Sequence, residues 1–322
     1  MIITVTLNAA IDKTLAVPNF RLGHRHRAVE QTAMAGGKGV NVARALRALG
    51  QPVIATGVAG GPTGTRIVEH LTEEGILNDF VRIREESRTS TAVVDPTNGE
   101  QTEINEHGPH VTEGELELFV DKLLYLAKGA AVCVFSGSLP RGVNADLYAR
   151  LVQEVKKLGA TTVLDSEGES LRMATRAEPT VVTPNETEAE ELVGHEFDEE
   201  EDRLPAIREI AEMGATEAIM TLQAGCLGLV GEQSDRQLYR AAIDPNVVDP
   251  VSTVGSGDAF LAGYVAARYG GRRPDECLRF AVACGAESIR HMGAGVIDPP
   301  EVDRLMGEVS VEALAEPAVH SG

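Results

Sequence analysis

Residues 251–263, VSTVGSGDAFLAG, pass from a β-favouring segment through a Gly-Ser-Gly turn into a helical pattern. Backbone N–H groups of such a turn and of the first helical turn converge on a small volume, where the helix dipole favours negative charge. The stretch therefore predicts an anion-binding nest of Gly255, Ser256 and Gly257, with the Asp258 carboxylate beside it to accept a hydroxyl proton. The dipole should keep this carboxylate ionised. Because Asp is also a common N-cap, the stretch alone leaves a capping role open.

A second glycine-rich stretch, AGGKGVNVAR at residues 35–44, precedes another helical pattern. Gly36 and Gly37 would let the backbone approach a ligand closely, since a side chain there would collide with it. Lys38 would place a cation beside that ligand; the alternative is an ordinary solvated lysine.

The two stretches resemble the two signature regions of the ribokinase/PfkB family of carbohydrate kinases. Four further segments follow in the family's order: TLNAAID at 6–12, SGSLP at 136–140, LDSEG at 164–168 and PNETE at 184–188. The likeness extends over nearly the whole chain. It is strongest to the branch that phosphorylates hexose phosphates, which includes 1-phosphofructokinase, tagatose-6-phosphate kinase and the minor bacterial 6-phosphofructokinase.

The resemblance implies an ATP- and Mg²⁺-dependent enzyme that converts fructose 1-phosphate, fructose 6-phosphate or tagatose 6-phosphate to the bisphosphate by in-line transfer, with Asp258 as base. The sequence pattern does not select the sugar phosphate or the hydroxyl. Two alternatives stay open: a kinase of an unphosphorylated sugar or nucleoside, and a non-catalytic sugar-phosphate sensor on the same fold.

The resemblance also implies the remaining site residues. Substrate contacts are expected from Asp12, Arg25, Arg27, Gly36, Gly37, Lys38, Asn41, Arg88 and Ser138. Nucleotide contacts are expected from Asn185, Thr221, Gly225 and Gly228, with Glu188 placing the metal through water. Plainer roles remain open for three of them: Asp12 as a turn former, Asn41 as a helix cap and Glu188 as part of an acid-rich helix surface.

The densest basic run, RLGHRHR at residues 21–27, is expected to bind the sugar's phosphate, because guanidinium groups match phosphate geometry. Alternation predicts a strand with Arg25 and Arg27 on one face and His24 and His26 on the other. A solvated charge run is the alternative. The two histidines have no evident third ligand that would indicate zinc.

Two departures weaken the nucleotide assignments. Thr183 stands where the family commonly has Lys before the Pro-Asn pair. Residues 221–226, TLQAGC, replace the usual glycine-rich nucleotide loop and leave its register open.

Composition limits the class of protein. The 322 residues carry 49 acidic against 29 basic side chains, a net charge of −20, which argues against nucleic-acid and membrane-surface binding. No apolar run reaches the ~20 residues that span a bilayer. Four cysteines without metal-ligand spacing, and an N-terminus without signal-peptide features, favour a cytoplasmic protein.

Alternating apolar runs and helical patterns predict an α/β fold: a ribokinase-like three-layer sandwich with a mostly parallel central sheet and a small β-lid. We expect the core at residues 1–11, 36–86 and 108–314, and the lid at 12–35 and 87–107. Asn98-Gly99 predicts a hairpin within the lid, although two surface loops would give a similar pattern. Exposed lid edges suggest a homodimer.

Two charged or polar segments are assigned no role in the site. The acidic run at residues 199–202 predicts a solvated loop, and residues 315–322 a frayed tail.

Rival enzyme classes fit poorly. A dinucleotide-binding dehydrogenase requires glycine where Phe260 stands, and a Walker NTPase requires Ser or Thr where Gly39 stands. The segment around Gly137 and Leu139 also lacks the G-x-S-x-G pattern of a serine hydrolase.

Overall fold

The computed structural model describes residues 1–232 and 235–314; the predicted tail at 315–322 lies outside them. The strands are β1 (Ile2–Thr6), β2 (Ala10–Ala16), β3 (Glu30–Gly36), β4 (Val53–Gly60), β5 (Leu77–Ile83), β6 (Arg88–Val94), β7 (Gln101–Asn105), β8 (Val132–Ser136), β9 (Thr161–Asp165), β10 (Val181–Val182), β11 (Glu217–Leu222), β12 (Gly225–Val230), β13 (Gln237–Ile243) and β14 (Val309–Ala313). The helices are α1 (Lys38–Ala48), α2 (Gly61–Glu73), α3 (Glu113–Ala127), α4 (Leu147–Lys157), α5 (Gly168–Thr175), α6 (Glu186–Val193), α7 (Glu200–Glu212), α8 (Ser256–Tyr269), α9 (Pro274–Ser288) and α10 (Pro299–Leu305).

The main sheet has ten strands in the order β14-β13-β12-β11-β10-β9-β8-β1-β4-β5. From β5 to β11 the neighbours are parallel, and from β11 to β14 they are antiparallel. All five residues of β1 and of β8 are buried, as expected for strands covered by helices on both faces. The predicted three-layer α/β class is confirmed.

Each face of the sheet carries its own apolar core. One core joins β1 and β4 to α1, α2, α8 and α9, and includes Leu46, Ile67 and Tyr264. The other lies beneath α3 to α7 and includes Phe119, Phe135 and Tyr148. Aromatic residues are few, so both cores consist chiefly of Ala, Val, Leu and Ile.

A buried polar network fixes α8 to the sheet. Glu217 of β11, 1% exposed, accepts hydrogen bonds from Tyr264 Oη at 2.7 Å and Arg268 Nη1 at 2.7 Å, and from the Gly231 backbone at 3.1 Å. These three hydrogen bonds compensate the cost of burying the Glu217 carboxylate. The α8 helix, which carries Asp258 in its first turn, is thereby anchored to the sheet through its C-terminal half.

The second sheet has four strands in the order β3-β2-β6-β7. The predicted hairpin is present: β6 and β7 pair in antiparallel fashion on either side of Asn98-Gly99. The strand predicted through the basic run is wrong, because residues 17–29 form an irregular connection between β2 and β3. We call β2, β3, β6, β7 and this connection the lid; the domain boundaries drawn from the sequence stay a prediction.

The acidic run is also corrected. Glu199 is the N-cap of α7, and residues 200–202 form its first turn. Carboxylates are favoured at a helix N-terminus by the dipole, so the cluster starts a helix and does not extend a loop. Among the helices of the described part of the chain, none has the length and apolarity that crossing a bilayer requires.

Candidate active site

A cavity of about 1040 Å³ lies between the lid and the carboxyl ends of the central strands. This edge is where open α/β sheets bind ligands, and the volume is at the upper end for small-molecule sites. A hydrogen bond from Ser252 Oγ to Gln101 Oε1, at 3.3 Å, joins the lid to the loop before the predicted nest.

Most residues predicted for the site line this cavity. They are Asp12, Gly37, Lys38, Asn41, Arg88, Ser138, Asn185, Glu188, Thr221, Gly225, Gly255, Ser256, Gly257 and Asp258. Those not among the lining residues are Arg25, Arg27, Gly36 and Gly228.

The nest begins with a left-handed residue. Gly255 has φ +78°, and a Cβ there would lie 2.5 Å from the Cβ of Ala294, so only glycine fits. Gly255 is the N-cap of α8, and Asp258 is the third helical residue. The capping role left open for Asp258 is therefore wrong.

Asp258 is buried, and its Oδ2 accepts a hydrogen bond from Asn41 Nδ2 at 2.8 Å. Burial, reinforced by the negative charge of Asp165, raises the pKa of Asp258 to about 7, while Lys38 and the Asn41 hydrogen bond oppose the rise. Desolvation therefore acts against the helix dipole, which by itself would favour the ionised carboxylate. A carboxylate with this pKa suits proton acceptance near neutral pH.

Asn41 is held in turn by Arg44, which the sequence reasoning did not identify. Arg44 Nη1 donates to Asn41 Oδ1 at 3.2 Å, which leaves the Asn41 amide N–H groups for Asp258. The same guanidinium bonds the carbonyls of Ala35 and Ala294 and pairs with Glu74. The sequence did contain a signal for this contact, because residues three apart on a helix, such as Asn41 and Arg44, lie side by side.

The paired glycines act differently from each other. Gly37 has φ +96°, and a Cβ there would lie 2.9 Å from Thr6 Cγ2, which fits close approach of the backbone. Gly36 does not line the cavity; a Cβ there would lie 2.0 Å from Asp12 Oδ2, so this glycine makes room for the Asp12 carboxylate. Burial raises the pKa of Asp12, although Arg88 and the Gly37 N–H favour its charged form.

Lys38 is not an ordinary solvated lysine, because its ammonium is paired with two carboxylates of the site. Its Nζ lies 2.9 Å from Asp165 Oδ1 and 3.5 Å from Glu188 Oε1. Burial opposes its charge, but the nearby carboxylates prevail and raise the pKa of Lys38. Asp165 was missed as a site residue, although it ends β9 within the quoted LDSEG segment; Ser136 Oγ donates to its other oxygen at 2.8 Å.

Asn185 and Glu188 form a capping box at the start of α6. Asn185 Oδ1 accepts from the Glu188 backbone, and Glu188 Oε2 accepts from the Asn185 backbone, each at 2.9 Å. Glu188 is buried, so the solvated-surface alternative for it is wrong. Burial raises the pKa of Glu188, and Lys38 counteracts that rise.

The hairpin of β11 and β12 carries three of the residues for which nucleotide contacts were expected. Thr221 and Gly225 line the cavity there, and a Cβ at Gly225 would lie 2.1 Å from the Ala241 carbonyl. Gly228 is corrected: it lies within β12, where a Cβ would meet Leu278 at 3.1 Å, so it serves packing.

The predicted phosphate clamp is only partly assembled. Arg88 lines the cavity with its Nε bonded to the Asn8 carbonyl at 3.2 Å, and Ser138 Oγ accepts from Asn8 Nδ2 at 3.0 Å. Arg25 and Arg27 are exposed on the irregular lid connection and are not among the cavity-lining residues. Alternation carried no information about their direction, because that connection is not a strand.

Comparison with known proteins gives consistent matches. A model of the pfkB family of carbohydrate kinases matches residues 5–301. Over 314 residues the chain is 30% identical to the 1-phosphofructokinase of Borreliella burgdorferi, covering 98% of this chain and 99% of that protein. Over 313 residues it is 34% identical to a tagatose-6-phosphate kinase of Staphylococcus epidermidis, covering 97% and 99% respectively. Phosphofructokinase-2 from Escherichia coli in complex with substrates and products superposes with a TM-score of 0.87 and 28% identity, over 95% of this chain and 98% of that one.

Proposed function

The chain belongs to the pfkB family of carbohydrate kinases and is an ATP-dependent sugar-phosphate kinase, and we propose that it converts a ketohexose phosphate to the bisphosphate with Asp258 as general base. The observation that carries the proposal is the placement of Asp258: a buried carboxylate with a pKa near 7, beside the Gly255 nest, in a cavity shared by the sugar-side and nucleotide-side residues.

In this mechanism Asp258 accepts the proton of the attacking hydroxyl. The N–H groups of the nest stabilise, through hydrogen bonds, the negative charge that develops on the transferred phosphoryl group. Asn41 orients the Asp258 carboxylate through the 2.8 Å hydrogen bond. Asp12 accepts from sugar hydroxyls, and Arg88 binds the phosphate that the sugar already carries. The lid excludes water from the transfer.

The carboxylate oxygens on the nucleotide side of the cavity are suitable ligands for Mg²⁺. Asp165 Oδ1 and Glu188 Oε1 face the same point, and carboxylates together with ATP phosphates are the ligands Mg²⁺ prefers. Among residues 1–232 and 235–314 no group of three or more acidic, His or Cys side chains could hold a metal ion. Mg²⁺ would neutralise phosphate charge; Asp165 and Glu188 would hold it.

An ADP-release assay with Mg·ATP tests the proposal. The panel contains fructose 1-phosphate, fructose 6-phosphate, tagatose 6-phosphate, free fructose and ribose. We expect turnover on at least one phosphate ester, and a loss of about 10²- to 10⁴-fold in kcat for Asp258→Asn with Mg·ATP binding retained. Turnover on a free sugar alone would contradict phosphate binding by Arg88. Absence of turnover on the whole panel would favour a sensor.

A further inference from the structure

The structure holds one cation between the two carboxylates assigned to the metal. Lys38 Nζ contacts Asp165 Oδ1 at 2.9 Å and Glu188 Oε1 at 3.5 Å. Each carboxylate has its other oxygen bound by protein, to Ser136 Oγ in one case and the Asn185 backbone in the other. The oxygens that remain for a cation are therefore the two that the Lys38 ammonium contacts.

We propose that the Lys38 ammonium occupies this cation position while nucleotide is absent, and leaves it when a divalent cation enters with the nucleoside triphosphate. The inference rests on the proposed function in that the nucleotide brings the cation. It assigns Lys38 to the metal side of the cavity, where the sequence had suggested the sugar.

The Lys38 ammonium and a divalent cation cannot occupy this position together, because their charges repel. Like charges held a few ångströms apart at a protein surface repel each other strongly, and a divalent ion doubles the repulsion that a monovalent one would feel. The ammonium neutralises one charge of the Asp165 and Glu188 pair, whereas a divalent cation neutralises both. Replacement is therefore favoured only when the ion is supplied and Lys38 finds another anion, such as the phosphates that accompany it.

The side chain of Lys38 is able to move. It is 36% exposed, whereas those of Asp165 and Glu188 are 10% and 11% exposed, and it ends in a flexible four-carbon stem. The carboxylates are fixed by the hydrogen bonds described above. The exchange thus moves the lysine and leaves the metal ligands in place.

The consequence is that the empty enzyme should bind free divalent metal weakly, and that removing the Lys38 charge should create affinity for it. The probe is Mn²⁺ without nucleotide, titrated by the EPR signal of the free ion, in wild type, Lys38→Met, Lys38→Met with Glu188→Gln, and the exposed-lysine control Lys157→Met. We expect Lys38→Met to bind one Mn²⁺ per chain at least tenfold more tightly than wild type. The double variant should lose that gain, and Lys157→Met should match wild type.

Circular dichroism establishes that each variant is folded, and Lys38→Gln, which retains a hydrogen-bond donor for Asp165, replaces Lys38→Met if the latter unfolds. Equal Mn²⁺ affinity in a folded Lys38 variant and wild type would overturn the proposal, and so would a gain that persists in the double variant. The titration contains no sugar and measures no turnover. An enzyme inactive on every sugar phosphate would contradict the proposed function and leave the Mn²⁺ result standing.

Discussion

At the scale of single residues, the protonation of Asp258 governs the expected pH dependence. A general base acts only when deprotonated, and burial together with Asp165 raises the pKa of this carboxyl to about 7. We expect kcat/KM to rise with pH across a limb centred near 7 and to level off above it. Asn41→Ala removes the hydrogen bond that favours the charged form, so its limb should move to higher pH. Profiles from pH 5.5 to 9 check both points; a flat profile down to pH 5.5 would contradict the assignment.

Ionisation of Asp258 should also lower the free energy of unfolding above neutral pH. Because the folded pKa of about 7 exceeds the ordinary 3.8, protonated Asp258 favours the folded state, and this contribution is fully present below pH 3.8 and lost as the pH rises through 7. Asp258→Asn should therefore unfold at higher urea than wild type at pH 8, with the difference shrinking towards pH 4.5. A difference independent of pH would show that ionisation of Asp258 is not the cause.

At the scale of elements, Arg44 makes α1 a positioning element for the base. It bonds Asn41, the Ala35 carbonyl at the end of β3 and the Ala294 carbonyl beside the nest, and it pairs with Glu74. Arg44→Lys keeps the positive charge but loses the planar guanidinium that bonds several acceptors at once. We therefore expect kcat to fall by about 10²-fold, because Asp258 would no longer be held in position. The pH limb should also move upward, because Asn41 no longer holds the charged carboxylate.

The matched controls are Arg47→Lys, at an exposed site on the same helix, which should change neither quantity, and a melting curve for each variant. A lower melting temperature in Arg44→Lys with an unmoved pH limb would indicate that Arg44 serves the fold alone.

Features set by neighbouring residues could be predicted from the sequence, whereas contacts between distant residues could not. The hairpin at Asn98-Gly99 and the turn into α8 depend on neighbouring residues, so they could be predicted. The ion pair of Lys38 with Asp165 joins positions 127 residues apart, and no periodicity encodes it. The course of residues 17–29 was missed because a basic alternating run resembles a strand whether or not a neighbour pairs with it.

At the scale of the whole molecule, the lid carries features that a second copy of the chain would cover. The order β3-β2-β6-β7 leaves β3 and β7 as edges. Ile104 alternates along β7 with Glu103 and Asn105, which line the cavity, so it lies on the opposite face of the lid. It is 60% exposed, and Val29, just before β3, is 71% exposed. Open edges and apolar side chains together favour self-association.

We therefore expect a dimer, with twice the 34.2 kDa of one chain, in light scattering at micromolar concentration. Replacing Val29 and Ile104 together by Lys should give a monomer, because two charges would be buried without partners in the interface. Leu118→Lys is the control: this residue is 61% exposed on α3, a helix that packs on the main sheet and is not part of the lid, and its replacement should leave the dimer intact. A wild-type monomer would remove the hypothesis, and a dimer that survives the double replacement would place the interface elsewhere on the surface.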